Sequence, residues 1–187
     1  MVDAMAIIGV IADTHIPDRV PELQTQVIQT FREKCVSTIL HAGDVSVPRV
    51  LEQLREVAPV YAVRGNRDIF YLRELPMRVE LTIEGVSIGM AHGHGNFTRY
   101  TIDKMQRAVS GRYVEKYLRR MLLAFPDADV IVFGHLHVPC SFQFRGKLLF
   151  NPGSTSYPWP RSYPGTFGLL YLEEGKAPRG EIIELDK

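Results

Sequence analysis

Six histidines in this sequence follow strand-like apolar runs, each at or just beyond the point where a run ends. They are His15, His41, His92, His94, His135 and His137. Ligands of open α/β sheets gather at the carboxyl ends of the strands, so this placement predicts one shared site. Imidazole groups collected in this way can bind metal ions or transfer protons.

The spacing of the other candidate donors supports the same site. The pairs are Asp13 with His15, His92 with His94, and His135 with His137, while Asp44 and Asn66 follow two further strands. Side chains two residues apart in extended backbone point to the same face, so each pair is expected to aim two donors at one place. A mixture of imidazole, carboxylate and carboxamide is typical of a first-row divalent metal site, and these donors exceed what one ion needs.

The alternative interpretation of any single histidine is a core residue with satisfied hydrogen bonds. For His41 we favour that interpretation, or a position in which its ring contacts a metal-ligating residue and not the metal ion itself. Glycines stand beside the other donors, at Gly43, Gly65, Gly93 and Gly134. Glycine lets the backbone turn sharply and approach a ligand closely, which agrees with a crowded site.

The first third of the chain alternates short apolar runs with amphipathic segments. Periodicity predicts strands over 6–12, 37–40 and 60–63, and helices over 20–34 and 48–58. This β-α-β-α-β order predicts parallel strands joined by right-handed crossovers.

The remainder predicts a mostly antiparallel half. We expect hairpins over 79–91 and 141–150, a buried strand over 129–133, and a final pair over 168–172 and 181–185. Two sheets packed face to face, with helices outside them, would accommodate both halves.

One segment is strongly basic. Residues 96–120 contain seven Lys or Arg against two acidic residues, a local net charge of +5. We expect a helical insertion at about 96–124 within a single domain spanning 1–187. It is either a solvated amphipathic helix or a basic rim that favours anionic substrates.

Composition excludes several classes of protein. The 187 residues carry a net charge of only +1, which argues against nucleic acid as the main partner. Neither an apolar run of about 20 residues nor a signal-type leader is apparent, so we expect a cytoplasmic protein without a membrane span. Cys35 and Cys140 are expected to be free thiols, a disulfide being the minor alternative.

Five short motifs together carry a family resemblance. They are Asp13-Thr14-His15, Gly43-Asp44, Gly65-Asn66-Arg67-Asp68, His92-Gly93-His94 and Gly134-His135-Leu136-His137. In this order they resemble the calcineurin-like metallophosphoesterases, in particular the small bacterial and archaeal phosphodiesterases related to the retromer subunit of the same fold. Asn151-Pro152-Gly153-Ser154 also fits that subgroup.

The resemblance implies a four-layer α/β/β/α sandwich of two mixed sheets. It also implies that Asp13, His15 and His137 hold one metal ion, that Asn66, His92 and His135 hold a second, and that Asp44 bridges both. Members of the family commonly take manganese, with iron, zinc, nickel or cobalt as substitutes. The implied reaction is hydrolysis of a small phosphate ester by a hydroxide that bridges the two ions.

One position departs from the pattern of many relatives, which carry histidine where this chain has Arg67. Arginine is a poor proton donor but binds phosphate oxygens well, so we expect a preference for activated diesters. His94 is the candidate general acid, or else a residue that orients His92 or Asp44. Asp68 is a candidate for orienting Arg67 or a metal-bound water.

Two other functions stay open. The first is a metal-binding scaffold for protein–protein interaction, because the retromer-related branch uses this fold as a binding surface. The second is a nuclease, for which only the basic segment speaks. The sequence is compatible with a homo-oligomer, and we expect the aromatic and proline-rich residues Tyr157 to Pro164 to form a covering loop rather than an interface.

Overall fold

The computed structural model describes residues 5–95 and 113–186, and its strands form two five-stranded sheets. Sheet 1 contains β1 (Ala6–Ile11), β2 (Thr38–His41), β3 (Val60–Ala62), β9 (Thr166–Leu172) and β10 (Arg179–Glu184), in the order β10-β9-β1-β2-β3. Sheet 2 contains β4 (Arg78–Ile83), β5 (Val86–Ala91), β6 (Val130–Phe133), β7 (Cys140–Phe144) and β8 (Lys147–Asn151), in the order β4-β5-β6-β8-β7.

The first third folds as β-α-β-α-β, as its periodicity predicts. Helix α1 (Thr25–Glu33) joins β1 to β2, and helix α2 (Pro48–Arg55) joins β2 to β3. All three strands are parallel, and Ile11 pairs with His41, which in turn pairs with Ala62. The carboxyl ends of the strands are therefore level, which brings the loops that follow them to one edge.

Both helices are shorter than predicted. Helix α1 starts at Thr25 rather than Val20, and the Pro21 carbonyl accepts a hydrogen bond from the Arg49 side chain instead of continuing a helix. Helix α2 ends at Arg55, short of the expected Ala58. Ala58 precedes a proline, a position from which the helical conformation is sterically disfavoured.

The second half of the chain is mostly antiparallel, as predicted, but the centre of sheet 2 is not. Both predicted hairpins are present, as β4-β5 and β7-β8, but β5, β6 and β8 run parallel at the centre of the sheet. The last two strands belong to sheet 1 instead, where β9 pairs antiparallel with β1 and β10 pairs antiparallel with β9. Hairpins are predicted from short stretches of sequence. The parallel pairings join strands that are distant in sequence, and the hydrophobic periodicity does not indicate which strands pair.

The apolar side chains form three clusters that define four layers. Alternation along the strands divides them: Val130 and Val132 face the space between the sheets, whereas Ile131 and Phe133 face outward. The outer face of sheet 1 packs against α1 and α2, while that of sheet 2 packs against α3 (Tyr113–Ala124). The predicted α/β/β/α sandwich is confirmed.

The predicted insertion at 96–124 is described only in part. Its last twelve residues form α3, and the rest of the prediction lies outside the described residues. Among the helices of residues 5–95 and 113–186, none has the length and apolar character needed to cross a bilayer. Cys35 and Cys140 are both free thiols, as expected.

Candidate metal centre

The candidate donors lie in the loops that follow β1, β2, β3, β5 and β6, at one edge of the sandwich. The backbone there is not extended as the spacing argument assumed. Positive φ angles between 47° and 68° occur at Asp13, His15, Asp44, His135 and His137. This left-handed conformation is uncommon outside glycine and carries strain that clusters at functional sites. The donor pairs therefore converge through tightly turned loops.

Three donors form a first group at the carboxyl ends of β1 and β6. The Nε2 atoms of His15 and His137 lie 3.2 Å apart, and Nε2 of His137 lies 3.2 Å from Oδ1 of Asp13. Nε2 of His15 lies 3.8 Å from the same oxygen. One divalent ion between these atoms would contact all three side chains.

A second group lies beside the first and shares its carboxylates. Nε2 of His92 lies 3.5 Å from Oδ1 of Asp44 and 3.9 Å from Oδ1 of Asp13. The side-chain Oδ1 of Asn66 is 3.2 Å from Nε2 of His92 and 3.0 Å from Nδ1 of His135. The other carboxylate oxygen of Asp44 is 3.8 Å from Nε2 of His15. Asp44 thus presents one oxygen to each group.

Backbone carbonyls fix the orientation of two imidazoles. Nδ1 of His92 donates to the Ala42 carbonyl at 2.8 Å, and Nδ1 of His137 donates to the Tyr157 carbonyl. A proton on Nδ1 leaves the lone pair on Nε2, the atom that faces the other donors. This arrangement is how proteins orient histidine for metal binding.

Burial shifts the pKa of three of the donors. It lowers the pKa of His15 to about 3 despite the neighbouring Asp13 carboxylate, so that imidazole is neutral at neutral pH. It also lowers the pKa of His135 well below its usual value. Burial raises the pKa of Asp44 to about 6, and repulsion from Asp13 and Asp68 adds to this increase. A positive ion would favour the charged form of Asp44.

The donor set fits divalent ions of the kind that the sequence predicts. Oδ1 of the fully buried Asp13 makes no hydrogen bond of acceptable geometry among the described residues, although Nε2 of His137 is close. A buried carboxylate oxygen needs a donor or a cation beside it, and an ion between the two groups would supply one. Imidazole nitrogen together with carboxylate and carboxamide oxygen suits manganese, iron, cobalt, nickel or zinc.

Asp68 has a different position from the one expected. Both of its oxygens accept backbone hydrogen bonds, Oδ2 from Asp44 and Gly65, and Oδ1 from Ser46, at 2.7–3.0 Å. The side chain is fully buried. It therefore holds the Asp44 loop in place instead of facing the Arg67 guanidinium or a water, and we treat it as a positioning residue.

Arg67 and His94 lie at the edges of the cluster. The Arg67 amide donates to Oδ1 of Asp44 at 2.7 Å, while its half-exposed guanidinium is 3.5 Å from Oδ2 of Asp18. The ring of His94 lies 5.3 Å from that of His92, and burial lowers the pKa of His94 to about 3. His94 thus stands beside the donors as a neutral imidazole.

His41 is fully buried, and its Nε2 atom lies 3.2 Å from the Thr14 hydroxyl. That hydroxyl donates to the carbonyl of Val45 at 3.2 Å. His41 is thus a neighbour of the loop that carries Asp44, which is the position that the sequence favours for it.

The sequence analysis missed Tyr117. Its buried hydroxyl donates to the His92 carbonyl and, at 3.2 Å, to that of Gly134, while its ring lies parallel to that of His135. The helical apolar spacing around it indicates only a core residue.

The Asn151-Pro152-Gly153-Ser154 motif also positions the donors. The Asn151 amide donates to the Gly134 carbonyl at 3.1 Å, and the Ser154 hydroxyl donates to the Asp13 carbonyl at 2.6 Å. Both side chains are fully buried. The motif is therefore a support for the loops that carry Asp13 and His135.

The described part of the basic segment lies next to the site. Lys116, Arg119 and Arg120 line a cavity of about 610 Å³ together with Arg78. The Arg120 guanidinium donates to the Gly93 carbonyl, between two of the candidate histidines. Arg99, Lys104, Arg107 and Arg112 lie outside the described residues.

Comparison with known proteins identifies the family. Residues 5–175 match the calcineurin-like phosphoesterase superfamily domain. The chain is 38% identical over 152 residues to a probable metallophosphoesterase of Methanothermobacter thermautotrophicus, covering 81% of this chain and 78% of that protein. It is 32% identical over 130 residues to the Escherichia coli phosphodiesterase YfcE, covering 65% of this chain and 58% of that protein. The protein belongs to the calcineurin-like phosphoesterase superfamily, as its motifs predict.

The fold is also that of a solved relative. The structure of vacuolar protein sorting 29 from Cryptosporidium parvum superposes with a TM-score of 0.69 at 24% identity, covering 99% of this chain and all of that one. The likeness supports the sandwich architecture.

Proposed function

We propose that the protein is a cytoplasmic phosphodiesterase that binds two divalent ions, manganese in the first instance, and hydrolyses small phosphate diesters. The position of Asp44 carries this proposal, since its two oxygens lie 3.5 Å and 3.8 Å from histidines of different donor groups. A carboxylate in this position suits a bridge between two ions. The free thiols agree with a reducing compartment.

Two bound ions would lower the pKa of a shared water and neutralise charge on the phosphate oxygens. Arg67 can exchange its exposed ion pair with Asp18, an interaction of little strength, for an oxygen of the substrate phosphate. Arginine does not release its proton, and the lowered pKa of His94 leaves that imidazole neutral. Neither side chain is therefore suited to protonate a poor leaving group. These properties favour activated diesters.

The test is to remove metal from the protein, restore manganese and assay two p-nitrophenyl substrates. We expect manganese-dependent hydrolysis of bis(p-nitrophenyl) phosphate, with a higher kcat/KM than for p-nitrophenyl phosphate. Asp44→Asn should lose at least about a hundredfold in kcat/KM. The reason is that one of the two carboxylate oxygens of the proposed bridge becomes an amide nitrogen, which does not bind a metal ion.

The matched control is Asp129→Asn. Asp129 accepts hydrogen bonds from Ser87 just before β6 begins, at the opposite end of that strand from His135. This variant should keep the wild-type rate. Equal turnover by wild type and Asp44→Asn, or turnover without any divalent ion, would contradict the proposal.

A specific observation favours the scaffold as the second candidate. Ile69, Phe70 and Tyr71 directly follow the Asn66 loop and are 56%, 80% and 66% exposed. Adjacent exposed apolar side chains are characteristic of protein-binding surfaces, and the fold likeness to vacuolar protein sorting 29 agrees with such a role. Stoichiometric manganese binding without turnover of either substrate would favour the scaffold over the hydrolase.

A further inference from the structure

Two arginines outside the donor groups contact one aromatic ring beside them. The guanidinium carbon of Arg19 lies 4.1 Å from the centre of the Tyr157 ring, and that of Arg161 lies 3.8 Å from the same point. Contact with an aromatic face holds a guanidinium in place and favours its charge. We call Arg19, Tyr157 and Arg161 the arginine–tyrosine stack.

The stack is tied to the first donor group at two points. The Arg19 amide donates to the carbonyl of His15 at 2.9 Å. The Tyr157 carbonyl accepts a hydrogen bond from Nδ1 of His137, and the rings of these two residues are 5.7 Å apart. The ring that both guanidinium groups contact therefore lies beside His137 of the first donor group.

Within residues 5–95 and 113–186, neither Arg19 nor Arg161 has a carboxylate within ion-pair distance. Arg179 provides a contrast, because its guanidinium carbon lies 3.7 Å from the Tyr171 ring while its NH1 atom is 3.5 Å from Glu181. Two like charges near one ring repel each other, and an anion within reach of both would offset that repulsion.

We infer, building on the proposed phosphodiesterase function, that the substrate carries a second anionic group and that Arg19 and Arg161 bind it. The reacting phosphate would lie at the metal centre and the second group, a phosphate or carboxylate, at the arginine–tyrosine stack. Guanidinium groups suit this task because they bind oxyanions through paired hydrogen bonds. The stack would then select substrates by charge without taking part in the reaction.

The test compares two esters that differ only in the second anion. They are thymidine 5′-(4-nitrophenyl phosphate) and the same compound with a 3′-phosphate, assayed with the manganese-loaded protein. We expect wild type to prefer the 3′-phosphorylated ester through a lower KM. Arg19→Gln and Arg161→Gln should each reduce that preference about tenfold, because each removes one charge-assisted contact, and should leave the rate on the simpler ester unchanged.

Two further variants make the comparison specific. Arg145→Gln removes an arginine that also contacts a ring, that of Phe144, at the β7–β8 turn remote from the site, and it should keep the preference. Tyr157→Phe retains the ring and should keep the preference as well. An unchanged preference in both Arg19→Gln and Arg161→Gln, or an equal loss on both esters, would overturn the inference.

Calorimetry separates this inference from the proposed function. Binding of thymidine 3′,5′-bisphosphate and of thymidine 5′-monophosphate to the manganese-loaded protein needs no turnover. Tighter binding of the bisphosphate by wild type, lost in Arg161→Gln, would support the anion site even if neither ester is hydrolysed. Equal affinity of wild type for the two nucleotides would reject the anion site, whatever the catalytic result.

Discussion

At the scale of single residues, the site holds a carboxylate whose negative charge is unfavourable without a positive ion. Asp13 and Asp44 are both buried, and burial together with the neighbouring acids raises the pKa of Asp44 to about 6. Close packing leaves little freedom to relax, since a Cβ at Gly65 would lie 2.1 Å from Oδ1 of Asp44. The protein therefore holds this carboxylate in a place where its charge is costly.

This leads to a prediction for the metal-free protein. The folded-state pKa of Asp44 lies above the ordinary 3.8, so its contribution to stability is fully present below about pH 4 and is lost as the pH rises through about 6. At pH 8, Asp44→Asn should raise the free energy of unfolding by about 1–3 kcal/mol. Urea denaturation in the presence of a chelator at pH 8 and pH 4.5 measures the effect.

The gain should shrink at pH 4.5 and reverse when manganese is restored, because the variant then loses a metal ligand. Asp129→Asn is the control, since hydrogen bonds from Ser87 lower the pKa of Asp129, and it should give no gain at pH 8. A metal-free Asp44→Asn protein that is less stable than wild type at both pH values would show that the charge of Asp44 does not destabilise the fold.

At the scale of elements, helix α3 supports the site from outside sheet 2. Tyr117 reaches from the helix to the carbonyls of His92 and Gly134, in the loops after β5 and β6. Its ring is 1% exposed and packs with Phe133. A single side chain thus links the helix to two loops that carry candidate ligands.

Tyr117→Phe should therefore affect stability and metal binding together. Loss of the hydroxyl leaves a buried carbonyl without its donor, which costs about 1–3 kcal/mol of unfolding free energy. Manganese affinity should fall up to about tenfold because the His92 loop loses a support. Urea denaturation and calorimetric titration of manganese measure the two effects.

Tyr171→Phe provides the matched control for this prediction. Its hydroxyl donates to Glu181 on a strand of sheet 1, where Tyr171 pairs with Ile7, away from the donor loops. This variant should leave manganese affinity unchanged. Equal affinities in wild type and Tyr117→Phe would mean that the contact serves only packing.

At the scale of the whole molecule, the candidate metal centre joins the two sheets. Asp13, His15 and Asp44 follow strands of sheet 1, whereas His92, His135 and His137 follow strands of sheet 2. Hydrogen bonds already join these loops, from the His135 amide to Oδ2 of Asp13 at 2.9 Å and from Nδ1 of His92 to the Ala42 carbonyl at 2.8 Å. Bound ions would add ligand bonds from both sheets at the same edge.

Manganese should consequently stabilise the domain as one unit. At a free concentration a hundred times Kd, we expect about 2.7 kcal/mol of added stability and a rise in Tm of several degrees in a single transition. Differential scanning calorimetry with and without manganese tests this, and Asp44→Asn should show a smaller rise. A shift confined to one of two resolved transitions would show that the ions stabilise only one sheet.

The sequence by itself determined which residues are able to bind metal ions and which strands and loops carry them. Donors such as His92 and Asp44 are recognisable for two reasons. Their side chains can coordinate metal ions, and they follow apolar runs that a short stretch of sequence identifies as strands. The β-α-β-α-β order, the hairpins and the family followed from the same local signals. The short range of these signals is the reason that they survive in a linear reading.

Only the tertiary structure decided how the donors converge. The left-handed backbone at His15 and His135 comes from loops held by distant partners, and spacing alone suggested extended backbone instead. Three further features depend on segments far apart in the chain. They are the parallel centre of sheet 2, the hydrogen bond from the Asp44 amide to Asp68, and the contact of Arg19 and Arg161 with Tyr157. Such contacts are selected by packing of the whole sandwich, because no local propensity favours them over the alternatives.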